Sequence, residues 1–315
     1  MSKKLLFGLA LVFFLLTVSG CGGRTDYKEV YRRQGIQALD EGRYDDAVTA
    51  FMNALSESRG LVKPVDVDID YYLGYSYYQG GDYEAAERVF SAVVEYNPKE
   101  TDAYYYRGKS RLYLGDQSGA EEDFLKVTSA DPQNYDLYID IYFCLCDAGF
   151  TTAGANYLQA TLDNAKNMSD YDRGRICYYL GNYSDARVYL EKAKNSQNMD
   201  TILMLGKTYE AISDYSYAAS LYNEYLSQKG NNAAVYNQLG VCRIKMKDYE
   251  AALAAFSSGL NLGDVSWEQE LMYNEAITYE YMLDFDNARA KMQEYLSKYP
   301  KDETAQREYV FLETR

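Results

Sequence analysis

The sequence contains no histidine. That removes the most frequent general base, the Ser-His and Cys-His nucleophile pairs and the commonest zinc ligand. Carboxylates, lysines and tyrosines remain, but no Walker loop, G-x-G-x-x-G before a helix, G-x-S-x-G elbow or metal-ligand spacing accompanies them. The expectation is a protein that is not an enzyme and holds no metal or diffusible cofactor. Proline is also scarce, with 4 in 315 residues, which favours helices over a turn-rich β architecture. Cations are in deficit, 32 Lys and Arg against 47 Asp and Glu, for a net charge of −15. A phosphate-seeking surface has the opposite sign, so nucleic acid is excluded as a partner. An acidic body is repelled by anionic lipid as well, so membrane attachment requires a dedicated anchor.

Only one long apolar run is present, and it lies at the amino terminus. Lys3 and Lys4 precede Leu5 to Val18, too short for a spanning helix but suited to the apolar core of a secretory signal. Val18-Ser19-Gly20-Cys21 follows. This resembles the lipobox of bacterial lipoproteins. The resemblance implies that the thiol of Cys21 takes a diacylglycerol and becomes the mature amino terminus after cleavage of residues 1–20. Residues 21–27 then read as a flexible tether. The implied location is the extracytoplasmic face of a bacterial membrane, either the cell membrane or an outer membrane. Gly22 stands where an aspartate would resemble an inner-membrane retention signal.

The rest of the chain repeats about every 34 residues. A turn motif recurs as Gly42-Arg43-Tyr44-Asp45-Asp46-Ala47, Gly81-Asp82-Tyr83-Glu84-Ala85-Ala86 and Gly181-Asn182-Tyr183-Ser184-Asp185-Ala186. It returns around Asp214-Tyr215, Asp248-Tyr249 and Asp284-Phe285, and in weaker form at Gly115 and Gly149. Glycine ends one helix in the left-handed conformation and Asp or Asn caps the next. The aromatic locks the turn against the preceding helix, and the small residue at its end lets two helices approach. Seven residues before each turn stand Gly35, Gly74, Gly108, Tyr142, Gly174, Gly206, Gly240 and Ala276. Four after each small residue stand Phe51, Phe90, Phe124, Leu158, Leu190, Tyr222, Phe256 and Met292. Pro98, Pro132 and Pro300 close three of the units.

Together these residues resemble the tetratricopeptide repeat. Leu73-Gly74, Tyr77, Gly81-Asp82-Tyr83, Ala86, Phe90 and Pro98 lie close to that family's consensus. The resemblance implies an all-α, right-handed superhelix of about eight helical hairpins over residues 28–300, with an insertion near 59–66. A capping helix within 301–315 would close the open end. It further implies that the first helix of each hairpin lines a concave groove, at positions six and three before its glycine and one, four and five after it. On this chain those positions give Tyr71, Tyr75 and Tyr78; Tyr105, Lys109 and Tyr113; Tyr171, Arg175, Tyr178 and Tyr179; Lys207; and Tyr273 and Tyr281. Tyrosine offers amphipathic area at low entropic cost, suited to a peptide or helix, and the three cations suit acidic groups on such a ligand. A second reading has the tyrosines filling helix interfaces. The lysine and asparagine clamp by which some family members bind chaperone tails is absent, since Arg32, Ile36 and Leu39 hold its positions.

Two further patterns carry less. Asp66-Val67-Asp68-Ile69-Asp70 begins like a calcium loop, but Tyr71 and Tyr77 stand where the required glycine and glutamate belong, so it reads as an acidic helix entry. Cys144, Cys146, Cys177 and Cys242 show no CxxC spacing and are expected as buried free thiols, with a Cys144–Cys177 disulfide left open. The functional expectation is a lipid-anchored extracytoplasmic adaptor or scaffold with a protein or peptide in its groove, serving cell-envelope or secretion-related assembly. The alternative is a glycan or peptidoglycan binder whose groove tyrosines stack on sugar rings.

Overall fold

A computed structural model describes residues 26–194 and 199–315. The expected signal segment and the expected lipidation site at Cys21 lie outside the described residues. Among the described residues there are seventeen helices and no strand. None of them is long and apolar enough to cross a membrane. The architecture is all-α: eight hairpins and a closing helix.

The chain forms two compact units, the first ending at Val127 and the second running from Thr128 to Arg315. The first contains α1 (Tyr27–Asp40) paired with α2 (Tyr44–Ser56), α3 (Pro64–Gly80) with α4 (Tyr83–Tyr96), and α5 (Thr101–Tyr113) with α6 (Gln117–Ala130), whose last turn passes the boundary. The second contains α7 (Tyr135–Asp147) with α8 (Thr151–Asn164), α9 (Asp170–Tyr179) with α10 (Tyr183–Ala193), and α11 (Met199–Ala211) with α12 (Tyr215–Lys229). There follow α13 (Ala233–Lys245) with α14 (Tyr249–Leu260), α15 (Val265–Tyr281) with α16 (Phe285–Lys298), and the single α17 (Glu303–Leu312). Ala305 and Leu312 of α17 join Ala276, Ala288 and Met292 in one buried cluster, which covers the end of the last hairpin.

Each hairpin is held by a small residue on its first helix facing a large one sixteen positions later on its second. Phe51, Phe90, Phe124, Leu190, Tyr222 and Phe256 are fully buried. A Cβ added at the opposing glycine would fall 2.6 Å from Phe51 at Gly35, 2.5 Å from Tyr222 at Gly206 and 2.3 Å from Phe256 at Gly240. The fourth hairpin departs from the arrangement. Tyr142 is large and Leu158 opposite it is still fully buried, while glycine replaces the usual second-helix alanine at Gly154, where a Cβ would meet the Tyr142 carbonyl oxygen at 3.2 Å.

The hairpin turns require a left-handed residue whether or not glycine supplies it. Gly42, Gly81, Gly115, Gly149 and Gly181 have φ between 70° and 89°, and in the last three hairpins Ser213, Lys247 and Leu283 adopt 65°, 62° and 61°. The expected caps form at Asp82, Asp214 and Asp284, each accepting a backbone N–H three residues on. Asp248 and Asn182 make no such bond. The Asp248 carboxylate accepts from Arg243 instead, at 3.0 Å.

The expected insertion at 59–66 divides. Residues 57–63 join the helices, while Pro64 to Asp66 form the first turn of α3. The buried Asp66 fastens this segment, accepting from Lys28, Ser58 and the Lys63 backbone N–H. Burial works to raise its pKa, but these bonds prevail and hold the carboxyl down at about 2. None of Cys144, Cys146, Cys177 and Cys242 forms a disulfide; Cys177 and Cys242 are buried as expected, whereas Cys144 and Cys146 are only half-buried. Burial pushes the Cys177 thiol up to about 11.

Candidate binding grooves

In the first unit a cavity of about 380 Å³ opens between α1 and α3. Gly35 and Gly74 set its register: Ile36, Leu39 and Asp40 follow the first, and Tyr71, Tyr75 and Gln79 flank the second, with Tyr44 and Tyr72 completing the wall. The Tyr75 hydroxyl accepts from Gln79 Nε2 at 2.7 Å. Tyr71 lies edge-on to Tyr72, Phe90 and Tyr106, and burial beside Tyr106 and Asp102 raises its phenol pKa.

Tyr106 is the hub of an aromatic cluster that sequence reasoning missed. Its ring lies 5.0 Å from Tyr75, 5.5 Å from Tyr78 and 5.4 Å from Tyr105. The Lys109 amine sits over Tyr78, Tyr105 and Tyr106 at 5.0, 5.4 and 5.8 Å from the ring centroids. Its charge is therefore directed onto rings of its own unit. Tyr113 stacks on the turn residue Tyr83 at 4.3 Å, and Tyr83 in turn tilts against Tyr78. Tyr78, Tyr105, Lys109 and Tyr113 thus join α3 to α5 and do not line the α1–α3 cavity.

In the second unit a cavity of about 430 Å³ is lined by the first helices of five successive hairpins, with Tyr222 of α12. It gathers Tyr171, Arg175, Tyr179 and Lys207, four of the expected residues, with Asp136, Asp200, Leu203, Gln238 and Trp267, which were not expected. Arg175 donates to Asp136 at 2.5 Å, lies 3.6 Å from Asp172 and covers the Tyr171 ring at 5.1 Å. Burial lowers its pKa, and those carboxylates and the phenol more than offset that. Burial raises the phenol pKa of Tyr171 and Tyr179, with Arg175 pulling the other way.

Lys207 is exposed and makes no hydrogen bond or ion pair among the described residues. One turn further along α11, Glu210 accepts a hydrogen bond from the Tyr222 hydroxyl and faces the Cys242 thiol. Burial raises the pKa of all three groups. A thiol so placed stays protonated at neutral pH and is not a nucleophile.

The remaining expected residues lie elsewhere. Tyr178 packs on Tyr179 and on the turn residue Tyr183. Tyr273 meets Tyr295 edge-on at 5.6 Å. Tyr281 stacks on Tyr249 of the preceding turn, with an interplanar angle of 3°. Among the described residues no group of three or more Cys, Asp or Glu side chains is placed to hold a metal ion.

The acidic groove residues had a signal. The position six residues before the first-helix glycine is Asp68, Asp102 and Asp200, and Asp136 holds it before Tyr142. That column is masked in the sequence because the helix dipole also favours acids near helix starts.

Comparison with known proteins bears on the fold. Family models for the tetratricopeptide repeat match residues 32–94 and 71–135, 233–262, and 270–302, together just over half of the chain. Among solved structures, a tetratricopeptide repeat protein from Parabacteroides merdae ATCC 43184 is 14% identical. It is covered in full by 92% of this chain, with a TM-score of 0.54. The APC/C hetero-tetramer Cut9–Hcn1 is 18% identical over 93% of this chain and 57% of that one, with a TM-score of 0.49. No curated protein matches the chain.

Proposed function

We propose, from the premise that this chain belongs to the tetratricopeptide repeat family, that it is a non-enzymatic adaptor holding a protein partner at the outer face of a bacterial membrane. Repeats of this family generally bind protein partners. The observation that carries the reading is the second unit's cavity. Five successive first helices converge on it, with aromatic and aliphatic walls and the exposed Lys207. Such a surface offers an extended segment both apolar burial and directional polar contacts. The first unit offers a second aromatic recess around Tyr71 and Tyr75.

Anchoring rests on the amino-terminal sequence: two lysines, a short apolar run and small residues before Cys21. A lipid on Cys21 would hold the acidic body to the membrane without any basic surface. Envelope or secretion-related assembly fits an exported scaffold. The glycan alternative has less support, because Tyr71, Tyr75, Tyr78 and Tyr178 direct ring contacts onto neighbouring aromatics where a sugar would need open faces.

Affinity capture from detergent-solubilised membranes tests the reading. Wild type should retain a specific protein partner, and Tyr75→Ala/Tyr179→Ala should lose it while remaining folded. An unchanged partner set would overturn the groove assignment. Replacing Cys21 with Ser should abolish incorporation of labelled palmitate and release the chain from the membrane fraction. Unaltered membrane retention would refute the anchor.

A further inference from the structure

Three arginines of the protein are held in one way, between a carboxylate and a tyrosine ring. Arg32 donates to Asp68 at 2.6 Å and lies over Tyr72. Arg107 donates to Asp123 at 2.6 Å and lies over Tyr104. Arg175 does the same with Asp136 and Tyr171. Carboxylate and ring together fix the guanidinium by charge-assisted bonds and by the attraction of the ring face.

The setting one repeat after Arg32 has no arginine of its own, and the same exchange of base for tyrosine recurs at Tyr105 with Asp136 and at Tyr171 with Asp200. Arg32 stands three residues before Gly35 and meets Asp68, six before Gly74. One repeat later the same two positions are Tyr71, three before Gly74, and Asp102, six before Gly108. The acid is retained and the base has become a tyrosine. Asp102 is exposed and makes no hydrogen bond or ion pair among the described residues. It lines a cavity of about 490 Å³ in the first unit, with Tyr71, Tyr72 and Tyr96 as aromatic walls and Asp68 and Glu100 as further carboxylates. No lysine or arginine is in that lining. Tyr96 is 53% exposed and has no ring partner among the described residues. Arg32 neutralises Asp68, which leaves Glu100 and Asp102 as negative charge in a cavity that Tyr96 also lines. Lys99, on the same connection, makes no ion pair and is outside the lining.

We propose that this cavity binds an arginine side chain of the protein partner, in the place that Arg32 takes beside Asp68 one repeat earlier. The proposal rests on the adaptor reading and specifies what that partner presents: a basic residue entering between Asp102 and Tyr96. A guanidinium suits the site better than an ammonium because it bonds a carboxylate and lies flat on a ring at the same time.

The test uses the full chain and two synthetic peptides, acetyl-Gly-Gly-Arg-Gly-Gly-amide and the same peptide with citrulline, which keeps the shape and removes the charge. Binding is followed by NMR of the tyrosine rings. The arginine peptide should bind at about millimolar Kd and shift Tyr96, and the citrulline peptide should not. Asp102→Asn and Tyr96→Ala, both at exposed positions, should each weaken it about five-fold. Equal binding of the two peptides, or an affinity unmoved by Asp102→Asn, would overturn the proposal. Partner capture separates the two readings. If Tyr75→Ala/Tyr179→Ala releases the partner and Asp102→Asn does not weaken its retention, the arginine site is wrong and the adaptor reading stands. If no variant alters capture, the groove reading itself fails.

Discussion

Replacing Gly240 with Ala sets two physical effects against each other. Gly240 is in the interior of α13, where alanine is worth about 1 kcal/mol over glycine by helix propensity. Propensity alone therefore expects a stabilised protein. The structure gives the opposite sign. The new Cβ would lie 2.3, 2.5 and 2.8 Å from three carbons of Phe256, where carbon pairs prefer about 3.5 to 4.0 Å. Phe256 is fully buried among Ala233, Ala252 and Leu271, so the ring has no open direction in which to move. Overpacking of this kind costs about 1–3 kcal/mol. With clashes to three ring carbons the upper end applies, for a net loss of about 2 kcal/mol. The chain also contains the remedy, since its last hairpin pairs Ala276 with Met292, both fully buried. Phe256→Met should cost about 1 kcal/mol alone, and the double variant should be more stable than Gly240→Ala. The cycle would then show favourable coupling of about 1–2 kcal/mol. Urea unfolding followed by circular dichroism measures all four proteins. A Gly240→Ala protein as stable as wild type, or additive effects in the cycle, would refute the reasoning.

Two further outcomes follow from the turns and the closing helix. Leu283 is 73% exposed and left-handed at φ 61°, so Leu283→Gly relieves backbone strain and gives up little packing; a gain of about 0.5 kcal/mol is expected in the same unfolding assay after the entropic cost of glycine, and a loss would contradict it. Glu280 of α15 is pushed up to about 7, from an ordinary 4.5, by burial and by its contact with Glu308 of α17, with Tyr273 and Tyr281 also near. Its Oε1 has no hydrogen-bond partner. A carboxyl whose folded pKa is raised contributes full stability below about pH 4.5 and loses it as pH climbs through 7. The unscreened linkage is about 3 kcal/mol, and solvent screening reduces it to about 1 kcal/mol. Glu280→Gln should flatten the decline in stability between pH 5 and pH 8, and parallel curves for the two proteins would disprove it.

The hairpins were legible because their determinants are local. Gly81, Asp82, Tyr83 and Ala86 fall within six residues, and Gly74 meets Phe90 at a fixed offset on the same hairpin. The site was less legible because its determinants cross between repeats. Lys109 reads as an open cation until Tyr78, thirty-one residues earlier, is placed beneath it. Arg175 reads the same way until Asp136 arrives from α7. Lys207 stays open because no acid stands in the corresponding place. Trp267 reaches the second cavity from the start of α15, whose first turn is extra to the repeat register. The close approach of Gly154 to the Tyr142 backbone was visible only as a departure from the pattern, since compensation needs both helices in place.

The small-for-large pairing has an evolutionary consequence. Both members of each pair lie in one hairpin, so duplicating a unit of about 34 residues copies the complete contact and leaves the hairpin self-consistent. An array built this way can gain or lose copies by recombination without exposing a clash or a void. Contacts such as Tyr83 on Tyr113 and Tyr249 on Tyr281 behave differently, because each spans two copies and is broken when their order changes. The glycine pairs therefore leave the number of copies free, while the tyrosine stacks record the sequence in which the copies came to be arranged.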